Sequence, residues 1–376
     1  FRKNAMMMKL LALLTGATVL LGASACQQPT LGSLSREAVD ELLRADTLAI
    51  TPRSPGWLLA EDAVFKLSAK DAQSLRELLG GARYTIITAQ GLFQRAMPPE
   101  DFRRAAFDID LKSRLEPGDV EDALLRCGYS RAAQVEGPGQ FSRRGGILDF
   151  FSPSQAQPLR VEFWGDEIDS ISSFDTASQR RTESLERCSV LPAAETLPSL
   201  CRGGSAQLAA ELKKLAARAE RRGDARLAGT LAEDAERLEN GAELRAADRY
   251  AGLVYSRRAC ALDYAPEGAL VVLDQPGRFM DRAREYAKQL ESDVEQLRSA
   301  GRMAAKAADF CLGEQEALDA LARFPLYMAD AFTAGRYPLP TASVTGIAAK
   351  QLPSYAGSAK QAADDAGQYL ENGSGV

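Results

Sequence analysis

The sequence predicts an α/β protein interrupted by a smaller α+β domain, and three observations carry that reading. The runs Tyr84-Thr85-Ile86-Ile87-Thr88 and Ala269-Leu270-Val271-Val272-Leu273-Asp274 are short and continuously apolar, as strands of a buried parallel sheet are. Leu159, Val161 and Phe163 alternate with Arg160, Glu162 and Trp164, the period of a half-buried strand. Leucines at 208, 212, 215, 227, 231 and 238 recur at roughly helical spacing. At 376 residues the chain has room for two or three domains.

The first elements allow two readings. Arg2, Lys3 and Lys9 precede an apolar run over 10–25 that closes on Ala23-Ser24-Ala25-Cys26, the pattern of a signal peptide with a lipoprotein-type cysteine. The same residues read as a core helix over 6–14, a break at Gly16 and a buried strand over 18–22, with a helix over 35–44 and a strand over 47–50 following in βαβ-like order. Taken alone, the signal pattern would win. The core reading is preferred because it agrees with the motif words of residues 128–195. The chain opens at Phe1 rather than Met, as a sequence beginning inside a longer protein would. A helix is expected over 69–79, then the strand over 84–88, with Pro98-Pro99 as a breaker that closes the unit.

A short helix over 119–127 leads into the stretch 128–181. Here Gly165-Asp166 offers a tight connection between the strand 159–164 and a returning strand that carries Ile168 and Ile171. Arg160 and Trp164 lie four residues apart on the outward face, roughly 13 Å at about 3.3 Å per residue. Arg and Trp are the types that most often anchor protein interfaces, although a solvated face with one Trp folded over a sheet edge would read the same way. Further on, Ser205 is expected to cap the leucine-spaced helix, Gly223 to turn or kink it, and Asn240-Gly241 to stop it. A long amphipathic helix is expected over 279–300, short strands over 326–328 and 347–349, and a last helix over 359–370.

Composition excludes several kinds of chemistry. The chain has no histidine, so Ser-His and Cys-His nucleophile pairs and every His-containing metal site are absent. Its cysteines, Cys26, Cys127, Cys188, Cys201, Cys260 and Cys311, are scattered without a C-x-x-C pair, which argues for buried thiols over a zinc ribbon or a disulfide framework. No G-x-x-x-x-G-K-[ST] phosphate loop occurs, so no ATP site and no other cofactor is expected in this chain. Asp166-Glu167 reads as a pair of turn carboxylates, not a metal site. A net charge of −5 gives no global footprint for nucleic acid, though Arg143-Arg144 and Arg180-Arg181 could form local basic patches.

Five words in order give the stretch a more specific reading: Gly128-Tyr129; Val135-Glu136-Gly137-Pro138-Gly139-Gln140-Phe141; Arg144-Gly145-Gly146-Ile147-Leu148-Asp149-Phe150-Phe151; Arg160-Val161-Glu162-Phe163-Trp164-Gly165-Asp166-Glu167-Ile168-Asp169; and Phe174-Asp175 before Gln179-Arg180. They resemble the UvrB-homology module near the N-terminus of the bacterial transcription-repair coupling factors. Leu191-Pro192-Ala193-Ala194-Glu195 and Gln351-Leu352-Pro353-Ser354-Tyr355 are further words similar to that family. The resemblance implies a degenerate RecA-like scaffold over 27–114 and 197–376, without an ATP site, split by a UvrA-interaction domain over 115–196. It leaves residues 1–26 as either the signal-like or the core segment. It also implies that Arg144, Arg160 and Trp164 face the damage sensor UvrA, with Trp164 standing where relatives usually carry another aromatic. The implied role is non-catalytic, cytoplasmic recruitment of UvrA in nucleotide excision repair. In the intact family the ATP-driven translocase and the contacts to DNA and RNA polymerase lie in parts absent from these residues. The signal-like reading alone would make this a lipoprotein anchored at Cys26.

Overall fold

The computed structural model describes residues 84–153, 155–255, 257, 259–331, 336–346 and 363–364, with the short pieces 17–21, 49–50 and 59. The helices expected over 6–14, 35–44 and 69–79, the strand over 347–349, Cys26, and all but residues 363–364 of the helix expected over 359–370 lie outside the described residues.

One sheet has the order β13-β12-β1-β3-β2, formed by β1 (Ala17–Leu21), β2 (Ala49–Ile50), β3 (Tyr84–Thr88), β12 (Leu270–Asp274) and β13 (Leu326–Ala329). The apolar strands at 84–88 and 270–274 form where the sequence places them. Their directions differ from the expected parallel βαβ order. β12 runs parallel to β13, and β3 parallel to β2, but β1 sits between β12 and β3 and is antiparallel to both. A continuous apolar run signals burial on both faces and carries no information about strand direction.

Helices follow these strands directly. Thr88 ends β3 and caps α1 (Ala89–Phe93), its hydroxyl accepting from the Gly91 amide at 3.1 Å. Pro99 does more than break the chain. It opens α2 (Pro99–Ala105), where its missing N–H costs nothing in the first turn.

The middle of the chain forms a six-stranded sheet in the order β10-β9-β8-β7-β6-β5. Its strands are β5 (Ser130–Arg131), β6 (Gln140–Arg144), β7 (Ile147–Phe150), β8 (Leu159–Trp164), β9 (Glu167–Phe174) and β10 (Arg181–Leu185). Every pairing is antiparallel except β5 with β6. A separate two-stranded ribbon joins β4 (Phe107–Asp110) to β11 (Arg187–Val190), so the two ends of this region meet. Between them α3 (Pro117–Arg126) packs Val120 and Leu124 inward. Tyr129 is buried and donates from its hydroxyl to the Leu191 carbonyl at 2.9 Å, tying the start of the sheet to its exit. One continuous core runs from Phe141, Leu148 and Val161 of this sheet to Ile87, Val271 and Phe279 of the first.

The leucine-spaced segment is a helical hairpin, α4 (Gly204–Arg221) and α5 (Ala225–Glu239), turned at Gly223 with φ +81°. Leu208, Leu212, Leu215, Leu231 and Leu238 are buried in it, with Tyr250. Ser205 does not cap α4. The helix starts one residue earlier, from a left-handed Gly203 without a side-chain cap. After α6 (Ala251–Val254), the long helix α7 (Pro276–Ser299) follows β12 at once, and α8 (Glu314–Ala322) precedes β13. Cys127, Cys188 and Cys260 are buried free thiols, each pushed up to about 12 by that burial, which makes them poor nucleophiles.

Candidate functional site

β8 alternates as its sequence predicts: Leu159, Val161 and Phe163 are buried and Trp164 is 82% exposed. The turn Gly165-Asp166 joins it to β9, with Trp164 paired to Glu167 and a positive φ at Gly165. In β9, Ile168 and Ile171 both face inward although three residues apart. Ile168 stands opposite Phe163 and Ser170 opposite Glu162, so Asp169 is an extra residue, and this bulge restores the inward phase.

Beside β8, Arg144 and Ile147 are paired across the Gly145-Gly146 turn that joins β6 to β7. Gly146 lies tight against β8. Its carbonyl accepts from the Phe163 amide at 2.8 Å, and a Cβ there would stand 2.8 Å from the Phe163 carbonyl oxygen. This close approach holds Ile147 opposite Glu162 and sets the turn next to Trp164. Three side chains therefore share one outward corner: Trp164, Ile147 at 36% exposure, and Arg144. The other side of Trp164 is pinned as well. The Leu115 amide donates to the Asp166 carbonyl at 2.8 Å, and Arg114 pairs with Asp166 and Glu167.

Arg160 is placed differently. The sequence puts it on the outward face, and so it is, but the side chain does not project into solvent. Its Nε and Nη2 donate to the two oxygens of Asp149, at 2.7 and 2.8 Å, and its Nη1 donates to the Gln179 carbonyl at 3.3 Å. The guanidinium carbon lies 4.6 Å from the centre of the buried Phe174 ring. Asp149 is itself buried and also accepts from Arg144 at 3.1 Å. These charge-assisted bonds, from Asp149 above all, hold the Arg160 guanidinium firmly protonated. Two words that lie apart in the sequence, Leu148-Asp149-Phe150 and Phe174-Asp175 with Gln179, thus form one cage around a single arginine.

In the other expected basic patches, Arg143 and Arg181 are matched by carboxylates. Arg143 forms an ion pair with Glu121 at 2.6 Å on the opposite side of the sheet from Arg144, and Arg181 pairs with Glu162. Burial alone would raise the Glu162 carboxyl, but hydrogen bonds from Arg181 and Ser170 outweigh it and leave that group below the usual carboxylate range. The site is a sheet surface with an aromatic at one corner and internally neutralised charge behind it. Such a surface suits protein docking. Among the described residues no group of three or more acidic or cysteine side chains could hold a metal ion.

Comparison with known proteins finds likenesses that include this surface. Residues 107–195, from β4 to the end of the ribbon partner β11 and just beyond, match the UvrB interaction domain. Over these residues the chain is similar to that domain. It is similar over 245 residues to the transcription-repair-coupling factor of Bacillus subtilis, at 29% identity, covering 63% of this chain and 21% of that protein. The transcription-repair-coupling factor of Myxococcus xanthus is 34% identical over 136 residues, 34% of this chain and 11% of that protein. UvrABC system protein B of Thermotoga neapolitana is 32% identical over 126 residues, 34% of this chain and 18% of that protein. The chain thus resembles the N-terminal UvrB-homology region of the coupling factors and spans about a fifth or less of the relatives it matches. Within the UvrB interaction domain, sequence reading singles out Arg144, Arg160 and Trp164 and passes over Ile147 and Asp149. Ile147 carries a signal in its place beside a Gly-Gly turn. Asp149 carries none, since an acid inside Leu-Asp-Phe-Phe looks like one more position of a buried strand.

Proposed function

We propose that this chain is the UvrA-recruiting part of a transcription-repair coupling factor, bringing UvrA to DNA where RNA polymerase has stalled. The observation that supports it is the outward corner of the region matching the UvrB interaction domain, where a largely exposed tryptophan stands beside Arg144 and Ile147 on the sheet. A large aromatic left in water by a well-packed sheet is a ready hot spot for a protein partner. In this reading Trp164 and Arg144 contact UvrA directly. Arg160 acts as the anchor that fixes Asp149, and through it the orientation of Arg144. The α/β part serves as a RecA-like scaffold without ATP chemistry, in keeping with a sequence that has no phosphate loop.

Calorimetric titration with UvrA tests it. Trp164→Ala should weaken binding by about 2 kcal/mol or more, roughly thirtyfold, with an unchanged melt, because the side chain is exposed. Arg144→Ala should weaken it in the same direction. If both variants bind UvrA as tightly as the wild type, the surface is wrongly assigned. The purified chain should show no ATP turnover with or without DNA, and DNA-stimulated hydrolysis would refute the scaffold role.

A further inference from the structure

The hairpin α4–α5 carries a second, unrelated concentration of arginine. Arg218, Arg221 and Arg222 occupy the end of α4 and Arg226 the first turn of α5, all exposed around the Gly223 turn. The loop after α7 adds Arg302. Gly301 packs so closely on α5 that a Cβ there would stand 3.1 Å from both the Arg226 Cβ and the Leu227 amide, and Thr230 donates to the Gly301 carbonyl at 3.4 Å. None of these five arginines has an ion-pair partner among the described residues. Farther from the turn on the same hairpin, Lys213 pairs with Glu239 and Lys214 with Glu211. Of the acids at the tip, Asp224 is committed to capping α5, accepting from the Leu227 amide at 3.0 Å.

Local helix energetics account for only part of this. Arg218 and Arg221 sit in the last turn of α4, where the helix dipole favours cations. Arg226 sits in the first turn of α5, where the dipole disfavours a cation, and Arg302 arrives from another part of the chain. The buried Arg249 is held below the usual arginine range, first by burial and then by the charge of Arg302, against smaller opposing contributions from Tyr250 and Asp234. Like charges gathered from separate elements, on a chain of net charge −5, call for an external anion.

We propose that the tip of the α4–α5 hairpin, with Arg302 beside it, docks on the phosphate backbone of duplex DNA. A duplex offers about one negative charge per 1.7 Å of its axis, a density that single strands and acidic protein surfaces do not match. Arginine is also the side chain whose planar fork grips phosphate with paired hydrogen bonds. The contact is sequence-independent, and it is separate from the Trp164 surface.

Anisotropy of a short labelled duplex, titrated with the full 376-residue chain over ~50–200 mM salt, tests it. Expected is weak binding at low salt, falling with a log–log slope of about −4, as four or five neutralised phosphates would give. Arg222→Gln/Arg226→Gln should flatten that slope by about 2 and lower the low-salt affinity roughly tenfold. A second pair, Arg218→Gln/Arg221→Gln, should do the same, so a folding defect in either leaves the other decisive. Trp164→Ala should change nothing here, which separates this result from the UvrA test. The proposal falls if the wild type does not bind at low salt, or if both double variants keep its slope and affinity. It also falls if polyglutamate of equal charge displaces the probe as well as unlabelled duplex does, since the tip would then fit an acidic protein.

Discussion

Arginine does opposite work in two regions of this molecule. On the six-stranded sheet Arg160 is clamped by a buried carboxylate, stacked over Phe174 and closed in by the 175–180 turn. At the α4–α5 tip, arginines crowd together with no carboxylate to answer them among the described residues. The first arrangement is structural: its charge is spent inside the fold, and what it offers a partner is a fixed surface. The second leaves its charge to the solvent. Counting arginines would score the two regions alike, whereas pairing and burial tell them apart.

The largest effect expected from this contrast is at Asp149. Asp149→Ala strips the acceptor from a half-buried Arg160 and should cost about 3–5 kcal/mol in urea unfolding, as broken buried pairs do. Arg160→Ala should cost nearly as much. For that reason its effect on partner binding must be read beside a melt, even though the residue lies on the outward face of the strand. Asp149→Leu/Arg160→Leu should cost less than either single change, because no charge is left stranded.

Next comes Val161→Ala, at about 2 kcal/mol through lost burial under the same strand. Gly146→Ala should cost about 1–2 kcal/mol, since its Cβ collides with the Phe163 carbonyl. Both are measurable by denaturant titration.

The Glu162–Arg181 pair, partly open to solvent, should contribute less than about 1 kcal/mol. Its sign is set by a folded carboxyl held below its ordinary range. The stability is present above that range and lost as pH falls through the folded value. A stability difference between wild type and Glu162→Gln that failed to shrink on acidification would contradict the pairing. Smallest is Arg222→Gln, which should leave stability within about 0.5 kcal/mol and so mark the tip as charge without structural debt.

Much of the sheet was legible beforehand. Alternation along 159–164 gave the buried and exposed faces and Gly165-Asp166 gave the turn, because these features depend on residues adjacent in the chain. The hairpin helices and the Gly223 turn were legible for the same reason. The β4–β11 ribbon was not, since its partners are some 80 residues apart and each strand has only four residues. The direction of β1 was not legible either, nor was the Asp169 bulge, which appears only once Ile168 and Ile171 must both face the core.

The sequence by itself determined the mixed α/β class, the half-buried strand with Trp164 on its open face, and the family likeness of residues 128–195, because periodicity, glycine turns and motif words are local properties. Tertiary structure decided which charges are free. Asp149 meets Arg160 only because β7 and β8 pair in that register, and Gln179 reaches the guanidinium only because its loop folds back over the sheet. Arg302 stands by Arg226 only because Gly301 leaves room for α5. An ion pair requires two side chains within a few ångströms, and in a folded chain that distance is set by strand register and helix packing, not by separation along the sequence.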